Sequence, residues 1–256
     1  MIGAIIGDIV GSIYEWDNIK TKKFPFFKSS CFFTDDTVLT IAVKEALEKG
    51  GKKKDIITAL KKYGRKYPNS GYGGNFRKWL LSDDDTPYNS YGNGSAMRVS
   101  SVAWKYDSLE AVEKMAKLTA EVTHNHPEGI KGAQATAACI FLARKNASKK
   151  EIKAYIEKTY GYNLSRSLED IRPNYSFDVT CQGTVPEAII AFLESTDFED
   201  AIRNAIALGG DSDTLAAITG SIAEGAYSVP GAMKEKASSY LDENLLAVVQ
   251  SFQIGT

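Results

Sequence analysis

Three glycines at four-residue intervals, Gly3, Gly7 and Gly11, punctuate an otherwise apolar N-terminal run, Ile2-Gly3-Ala4-Ile5-Ile6-Gly7-Asp8-Ile9-Val10-Gly11. Residues four apart on a helix share a face, and the set drifts only slowly around it. Each glycine costs a helix about 1 kcal/mol against alanine. A helix with three on one face is therefore expected to let another backbone approach closely. Two readings stay open. The face serves tight helix packing alone, or that packing also carries Asp8 and Glu15, on the helix and just past its exit, into a central site. The same run is too short, and with Glu15 and Asp17 too acidic, for a signal peptide or a membrane span.

Helical spacing continues along the chain. Residues 35–49 place Val38, Leu39, Ala42, Val43, Ala46 and Leu47 three and four apart, and Gly50-Gly51 supplies a stop. Leu109, Val112, Met115, Ala116 and Val122 repeat the pattern over 109–122, and Pro127 suits the first turn of a helix running to about Lys145. Ser148-x-x-Glu151 and Thr184-x-x-Glu187 read as capping boxes, and Asp197-x-x-Asp200 as the start of a helix ending at Gly209-Gly210. Helices over about 213–227 and 231–252 close the chain, with a break near Asp242-Glu243-Asn244. Strand patterning is scarce, and Phe177-Asp178-Val179-Thr180 is its best window. The expected class is all-α, a single compact multi-helix domain over residues 1–256. The Gly/Ser/Asn-rich stretches 69–75 and 89–95 are expected to be loops within it, where binding residues tend to sit.

The 31 Lys and Arg nearly balance the 32 Asp and Glu, giving a formal net charge of −1. That argues against a nucleic-acid binder working through a basic surface. Cys31, Cys139 and Cys181 are an odd, widely spaced set, so a reducing compartment is expected rather than a disulfide framework. Cys181 has no adjacent base and reads as structural. With His124 and His126 as the only imidazoles, a His-rich zinc site is excluded, and any metal must be held mostly by oxygen. No apolar run approaches the ~18 residues of a membrane span. A soluble, cytoplasmic protein is expected, and a monomer is the default.

Two short acidic segments resemble each other. Thr34-Asp35-Asp36-Thr37 precedes Val38-Leu39, and Gly210-Asp211-Ser212-Asp213-Thr214 precedes Leu215-Ala216. Either could simply cap its helix, since Asp and Thr are favoured N-caps and carboxylates suit the first turn. Capping needs one such residue per helix, however, and here carboxylates and hydroxyls are concentrated at two helix starts. The segments lie about 175 positions apart, so only the fold could join them. If joined, their negative charges would repel strongly without a cation among them. Hard oxygen donors suit Mg²⁺, Mn²⁺ or Ca²⁺. With Glu15 the carboxylates suffice for two divalent ions without requiring them. Neither segment continues into an EF-hand loop.

Five motifs occur in order: Gly7-Asp8-x-x-Gly11-Ser12-x-x-Glu15, Phe33-Thr34-Asp35-Asp36-Thr37, Gly92-Asn93-Gly94-Ser95-Ala96-Met97-Arg98, Thr123-His124 and Gly209-Gly210-Asp211-Ser212-Asp213-Thr214. Together they strongly resemble the ADP-ribosylglycohydrolase family, which includes dinitrogen-reductase-activating glycohydrolases and ADP-ribosyl-acceptor hydrolases, over residues 2 to about 230. The resemblance implies an all-α enzyme with a centre of two Mg²⁺ (magnesium) or Mn²⁺ (manganese) ions at the bottom of an ADP-ribose cleft. It implies metal ligands at Thr34, Asp35, Asp36, Asp211, Asp213 and Thr214, and a mobile glutamate at Glu15. The implied reaction is hydrolysis of the glycosidic bond between ADP-ribose and an acceptor, which is a protein side chain or a small molecule. Asp36 or Glu15 would be the catalytic carboxylate. Two alternatives remain, a two-metal nucleotide phosphohydrolase and a non-catalytic ADP-ribose-binding module.

Substrate contacts are expected from Ser90, Tyr91, Gly92, Asn93, Gly94 and Ser95, a glycine-rich loop without the Walker lysine, which the resemblance places along the ribose and diphosphate. Gly71-Tyr72-Gly73-Gly74 matches a diphosphate-holding segment less closely. By resemblance His124 faces the cleft. His124-Asn125-His126 is not the dispersed set of an HNH nuclease. Tyr91, Tyr175 and Phe177 are candidates for stacking on adenine. Residues 16–33, rich in Lys and Phe, are expected to form part of the rim.

Overall fold

The computed structural model describes residues 1–251, and among them the chain forms fifteen α-helices and no strand. In chain order these begin with α1 (Ile2–Gly11), extended by a 3₁₀ turn (Ser12–Tyr14), α2 (Asp35–Glu48), α3 (Lys53–Lys66), α4 (Gly74–Leu81), α5 (Gly94–Met97), α6 (Ser100–Lys105) and α7 (Leu109–Glu121). Then come α8 (Pro127–Arg144), α9 (Lys149–Tyr160), α10 (Leu168–Ile171), α11 (Cys181–Leu193), α12 (Phe198–Ile206), α13 (Ser212–Ala226), α14 (Gly231–Ser238) and α15 (Glu243–Gln250). This is the all-α class read from the spacing. The expected end of the last helix at 252 falls outside the described residues.

The glycine face of α1 explains the centre of the fold. A Cβ at Gly3 would lie 2.1 Å from the Gly220 carbonyl oxygen, at Gly7 2.0 Å from that of Ala216, and at Gly11 2.6 Å from Asp213 Cα. Rising numbers on α1 meet falling numbers on α13, so the two helices pack antiparallel, backbone against backbone. Antiparallel packing sets the exit of α1, where Glu15 follows, beside the start of α13, which carries Asp213. The second reading of the glycine face therefore holds: it is a packing face, and the packing positions carboxylates. Helix α13 is buried from Ser212 through Ala223, and α8, α11 and α12 cover its other faces.

Caps follow the sequence at most ends. The Ser148 and Glu151 side chains close a capping box on α9, and Asp197 and Asp242 accept from Asp200 and Leu245 backbone N–H groups at the starts of α12 and α15. The Thr184-x-x-Glu187 box is corrected. Helix α11 begins earlier, with Thr180 as its cap accepting from Gly183 N, and carries Pro186 inside it. Thr184 and Glu187 are buried within the helix: the Thr184 hydroxyl donates to the Asp178 carbonyl, and Glu187 receives Arg166 at 2.7 Å. The strand window 177–180 makes a single antiparallel bridge, Gly92 to Thr180, with Asn93 N donating to Val179 O at 2.8 Å. That bridge ties the glycine-rich loop to the start of α11.

Candidate active site

Asp8 is the one charged residue of α1 and is fully buried. Its carboxylate accepts from Thr34 N at 2.9 Å, Thr34 Oγ1 at 2.7 Å, Thr37 N at 3.1 Å and the Thr37 hydroxyl. Four donors from one segment clamp the start of α2 onto α1. Thr34 also caps α2, accepting from Asp36 N. Thr34 thus holds the helix start in place, its hydroxyl proton directed at Asp8.

The second acidic segment approaches from α13. Gly209 and Gly210 both take left-handed conformations, φ +72° and +74°, which reverse the chain immediately before Asp211. Gly210 N donates to Asn18 Oδ1 at 2.7 Å, and Asn18 Nδ2 donates back to the Tyr14 carbonyl at 2.6 Å and to the Gly210 carbonyl at 3.0 Å. Asn18 therefore ties the segment carrying Glu15 to the turn carrying Asp211. Asp211 accepts from Asn93 Nδ2 at 2.6 Å, and Thr214 Oγ1 donates to Asp36 Oδ2 at 3.2 Å. The two acidic segments, remote in sequence, meet side by side.

Ligand atoms of Asp8, Asp36 and Asp213 lie within 4.8 Å of one another, and so do those of Glu15, Asp211 and Asp213. Asp213 belongs to both groups. Asp35, half-buried on the first turn of α2, belongs to neither and points toward Gly71, where a Cβ would come within 3.2 Å of its Oδ1. Among the described residues no ion pair involves any of these carboxylates. Burial first, and their mutual repulsion second, push Asp35, Asp36 and Asp213 well above the usual carboxylate range. Burial lifts Asp8 as well, against its hydrogen bonds, and takes Asp211 to about 6. Glu15 rises to about 7, through burial and then the charge of Asp213. Buried charges without a counter-charge are strongly destabilising. Asp36 Oδ1 is buried with no hydrogen-bond partner at all. An orphaned carboxylate oxygen amid hard oxygen donors fits a divalent cation.

A cleft of about 940 Å³ opens onto this basin. Asp36, Asp211, Asp213 and Thr214 are both buried and part of its lining, so they form its inner wall. Ser90, Gly92, Asn93, Gly94 and His124 line a second side. The Gly71-Gly73-Gly74 loop contributes a third, and Phe177 lines the cleft stacked on Trp16 with ring centroids 5.0 Å apart.

Three expected contacts sit elsewhere. Ser95 is buried beneath the loop, donating to the Gly129 carbonyl at 2.7 Å. Tyr91 is exposed and meets His126 edge-on at 5.2 Å. Tyr175 is held by its hydroxyl on the Gly183 carbonyl at 2.9 Å, its ring close against Gly210. None of the three lines the cleft. Tyr88 lines it and was not singled out from sequence, while Arg98, at the end of the Gly92–Arg98 motif, lines it without having been assigned a contact. Of the expected rim, residues 16–33, only Trp16, Phe32 and Phe33 face the cleft. Asp8 was noted as a residue that close packing could carry inward, but no ligand role was assigned to it. Its lone charge in an apolar helix was the available signal.

A helical scaffold whose cleft ends on buried, unneutralised carboxylates has the make-up of a cation-binding site. The sequence profile of the ADP-ribosylglycohydrolase family matches residues 1–250, and the chain belongs to that family. It is 26% identical to the human ADP-ribosylhydrolase ARH3 over 328 aligned positions, covering 96% of this chain and 90% of that protein. It is 29% identical to the ADP-ribosylarginine hydrolase Tri1 of Pseudomonas putida, covering 90% of this chain and 70% of that one. The fold superposes on a chain of an ADP-ribosylglycohydrolase-related protein complex with a TM-score of 0.72 at 24% identity, across 97% of this chain and 96% of the other. No helix among the described residues is long and apolar enough to cross a membrane.

Proposed function

We propose that the chain hydrolyses the glycosidic bond between ADP-ribose and an acceptor, a protein side chain or a small molecule, in a reaction that depends on two divalent ions, Mg²⁺ or Mn²⁺. The observation that carries this reading is the pair of carboxylate groups sharing Asp213 on the inner wall of the cleft. Asp36, Asp211 and Asp213, with Asp35, Thr34 and Thr214 around them, would hold the ions, and Asp8 adds a further carboxylate to one group. Bound there, divalent ions would supply Lewis-acid polarisation and a water of lowered pKa.

The chain's own residues have separable roles. Asn93 orients Asp211 through its amide, and Thr214 orients Asp36. Cleavage at the anomeric carbon of a ribose passes through an oxocarbenium-like state, which nearby carboxylates stabilise. Glu15, half-buried on the cleft lining beside Asp213, is one candidate to exchange the proton, and Asp36 is the other. The glycine-rich loop and His124 line the side where the ribose and phosphates would lie, and the Trp16–Phe177 pair offers an aromatic face.

Asp36→Asn and Asp213→Asn test the assignment. Both should fold and both should lose divalent-dependent release of ADP-ribose. Unchanged turnover in the two variants would sink it. Release of phosphate or AMP would instead support a phosphohydrolase, and tight ADP-ribose binding without turnover a binding module.

A further inference from the structure

Arg98 has no part in the roles assigned above. It is fully buried, yet it borders the cleft. One of its terminal nitrogens donates to the Thr119 carbonyl at 3.0 Å and to Thr123 Oγ1 at 2.7 Å. Thr123 Oγ1 in turn lies 2.7 Å from His124 Nδ1. The Tyr88 ring packs 6.0 Å from that of His124.

The proton inventory of this chain of contacts is restrictive. A threonine hydroxyl has one proton to donate and two lone pairs to accept with. A guanidinium only donates, so Arg98 occupies one lone pair. Among the described residues no carbonyl or carboxylate accepts from the Thr123 hydroxyl, so its proton has His124 Nδ1 as its acceptor. The single Thr123 proton is then directed at His124 Nδ1, which must present a lone pair. The imidazole proton is left on Nε2. A second proton would place an imidazolium beside a buried guanidinium. Burial first, and Arg98 second, accordingly hold His124 well below the usual histidine range.

The other ring nitrogen faces the cleft. Among the described residues His124 Nε2 has no hydrogen-bond partner, and a Cβ at Gly94 would lie 3.2 Å from it and at Gly92 3.6 Å. Glycine at these two positions keeps Nε2 uncovered. We propose that Arg98 and Thr123 are positioning residues that lock His124 as the neutral Nε2–H tautomer, making the ring a one-way hydrogen-bond donor to a hydroxyl or phosphate oxygen of the bound ligand. The ligand in this inference is the ADP-ribosyl group of the reading above. A ring locked in this way is unable to serve as a general base near neutral pH, which leaves that role to the carboxylates.

The chain has two histidines, so the test is a long-range ¹H–¹⁵N spectrum of histidine-labelled protein, assigned with His126→Asn, which keeps a capping side chain at that helix start. Expected is a protonated Nε2 and a bare Nδ1 on His124, unchanged from about pH 5 to about pH 8. Thr123→Val should give mixed tautomers and weaken ADP-ribose binding about tenfold by calorimetry, as expected for one misdirected hydrogen bond. Thr123→Ser should restore both. A proton on Nδ1 in the wild-type protein, titration near the ordinary value of about 6.5, or a Thr123→Val spectrum identical to wild type would overturn the proposal. The spectrum needs no ligand. Failure of the wild-type protein to bind ADP-ribose would count against the functional reading, while the tautomer would still decide this one.

Discussion

Lowering the pH should stabilise the metal-free protein, and a divalent ion should cancel or reverse that trend. The cause is the basin formed by Asp8, Asp36, Asp211 and Asp213, all buried, with their acidities pushed in one direction. A carboxyl whose folded pKa is raised binds a proton in the folded state at a pH where the unfolded chain has released it. Stability therefore falls as pH rises from the unfolded value through the folded one. Asp211 alone, lifted from 3.8 to about 6, corresponds to roughly 3 kcal/mol lost by pH 7. Asp36 and Asp213 act in the same sense. Glu15, at about 7, extends the window to neutral pH, with its share reduced by solvent screening because it is half-exposed. The opposite sign comes from His124, which is held below the usual histidine range and so costs stability as pH falls below about 6.5, a single group against the several carboxylates, and from groups such as Glu45, which despite partial burial is held at about 2 by Lys49, Tyr63 and Lys62, and its contribution is lost only in strong acid. The assay is urea denaturation followed by circular dichroism at about pH 5.5, 6.5 and 7.5, in chelator and in Mg²⁺. The metal-free midpoint should fall across that series. With Mg²⁺ it should stay level or rise, because the cation binds the deprotonated carboxylates. A metal-free midpoint that rises with pH, or parallel trends with and without Mg²⁺, would refute the reasoning.

Two further outcomes follow from the packing and the cleft. Gly7→Ala places a methyl group 2.0 Å from the Ala216 carbonyl oxygen and must force α1 away from α13, so it should cost about 3 kcal/mol or more in a denaturation curve. A change below ~0.5 kcal/mol would show that the helices do not touch there. Trp16→Ala removes a side chain that is 80% exposed, so stability should move by less than ~0.5 kcal/mol. Its loss should nevertheless raise KM several-fold for an ADP-ribosylated substrate, and an unchanged KM would remove the Trp16–Phe177 pair from the substrate's path.

Different parts of this molecule were legible in the sequence to different degrees, for physical reasons. The glycine face of α1 was readable because glycine is costly in a helix, and its partner helix bears out the expected close approach. The helices α2 and α7 were readable from apolar spacing, α8 from Pro127 at its first turn, and α9 from its capping box. Helix α3 was not, because its five lysines match in number the apolar residues it buries, Ile56, Ile57, Ala59, Leu60 and Tyr63. The Thr184 box failed because Thr180, four residues earlier, caps the same helix, and Pro186 is accommodated inside it. The two acidic segments were visible as unusual helix starts, but no local pattern could bring them together. The approach depends on Asp8 gripping one segment and Asn18 the other. Side-chain direction was the least legible feature. Ser95 lies in the expected loop yet points under it, and Tyr175 is turned onto Gly183 by its hydroxyl, since both choices are made by residues far away in the chain.

The most direct measurement is mass spectrometry of the products formed from peptides carrying ADP-ribose on arginine or on serine, incubated with the purified chain in Mg²⁺, in Mn²⁺ and in chelator. Glycosidic hydrolysis at the carboxylate basin should yield intact ADP-ribose and the unmodified peptide on at least one of these acceptors, with either ion present, and neither product in chelator. AMP with a phosphoribosyl-peptide, or equal release of ADP-ribose in chelator, would contradict the account.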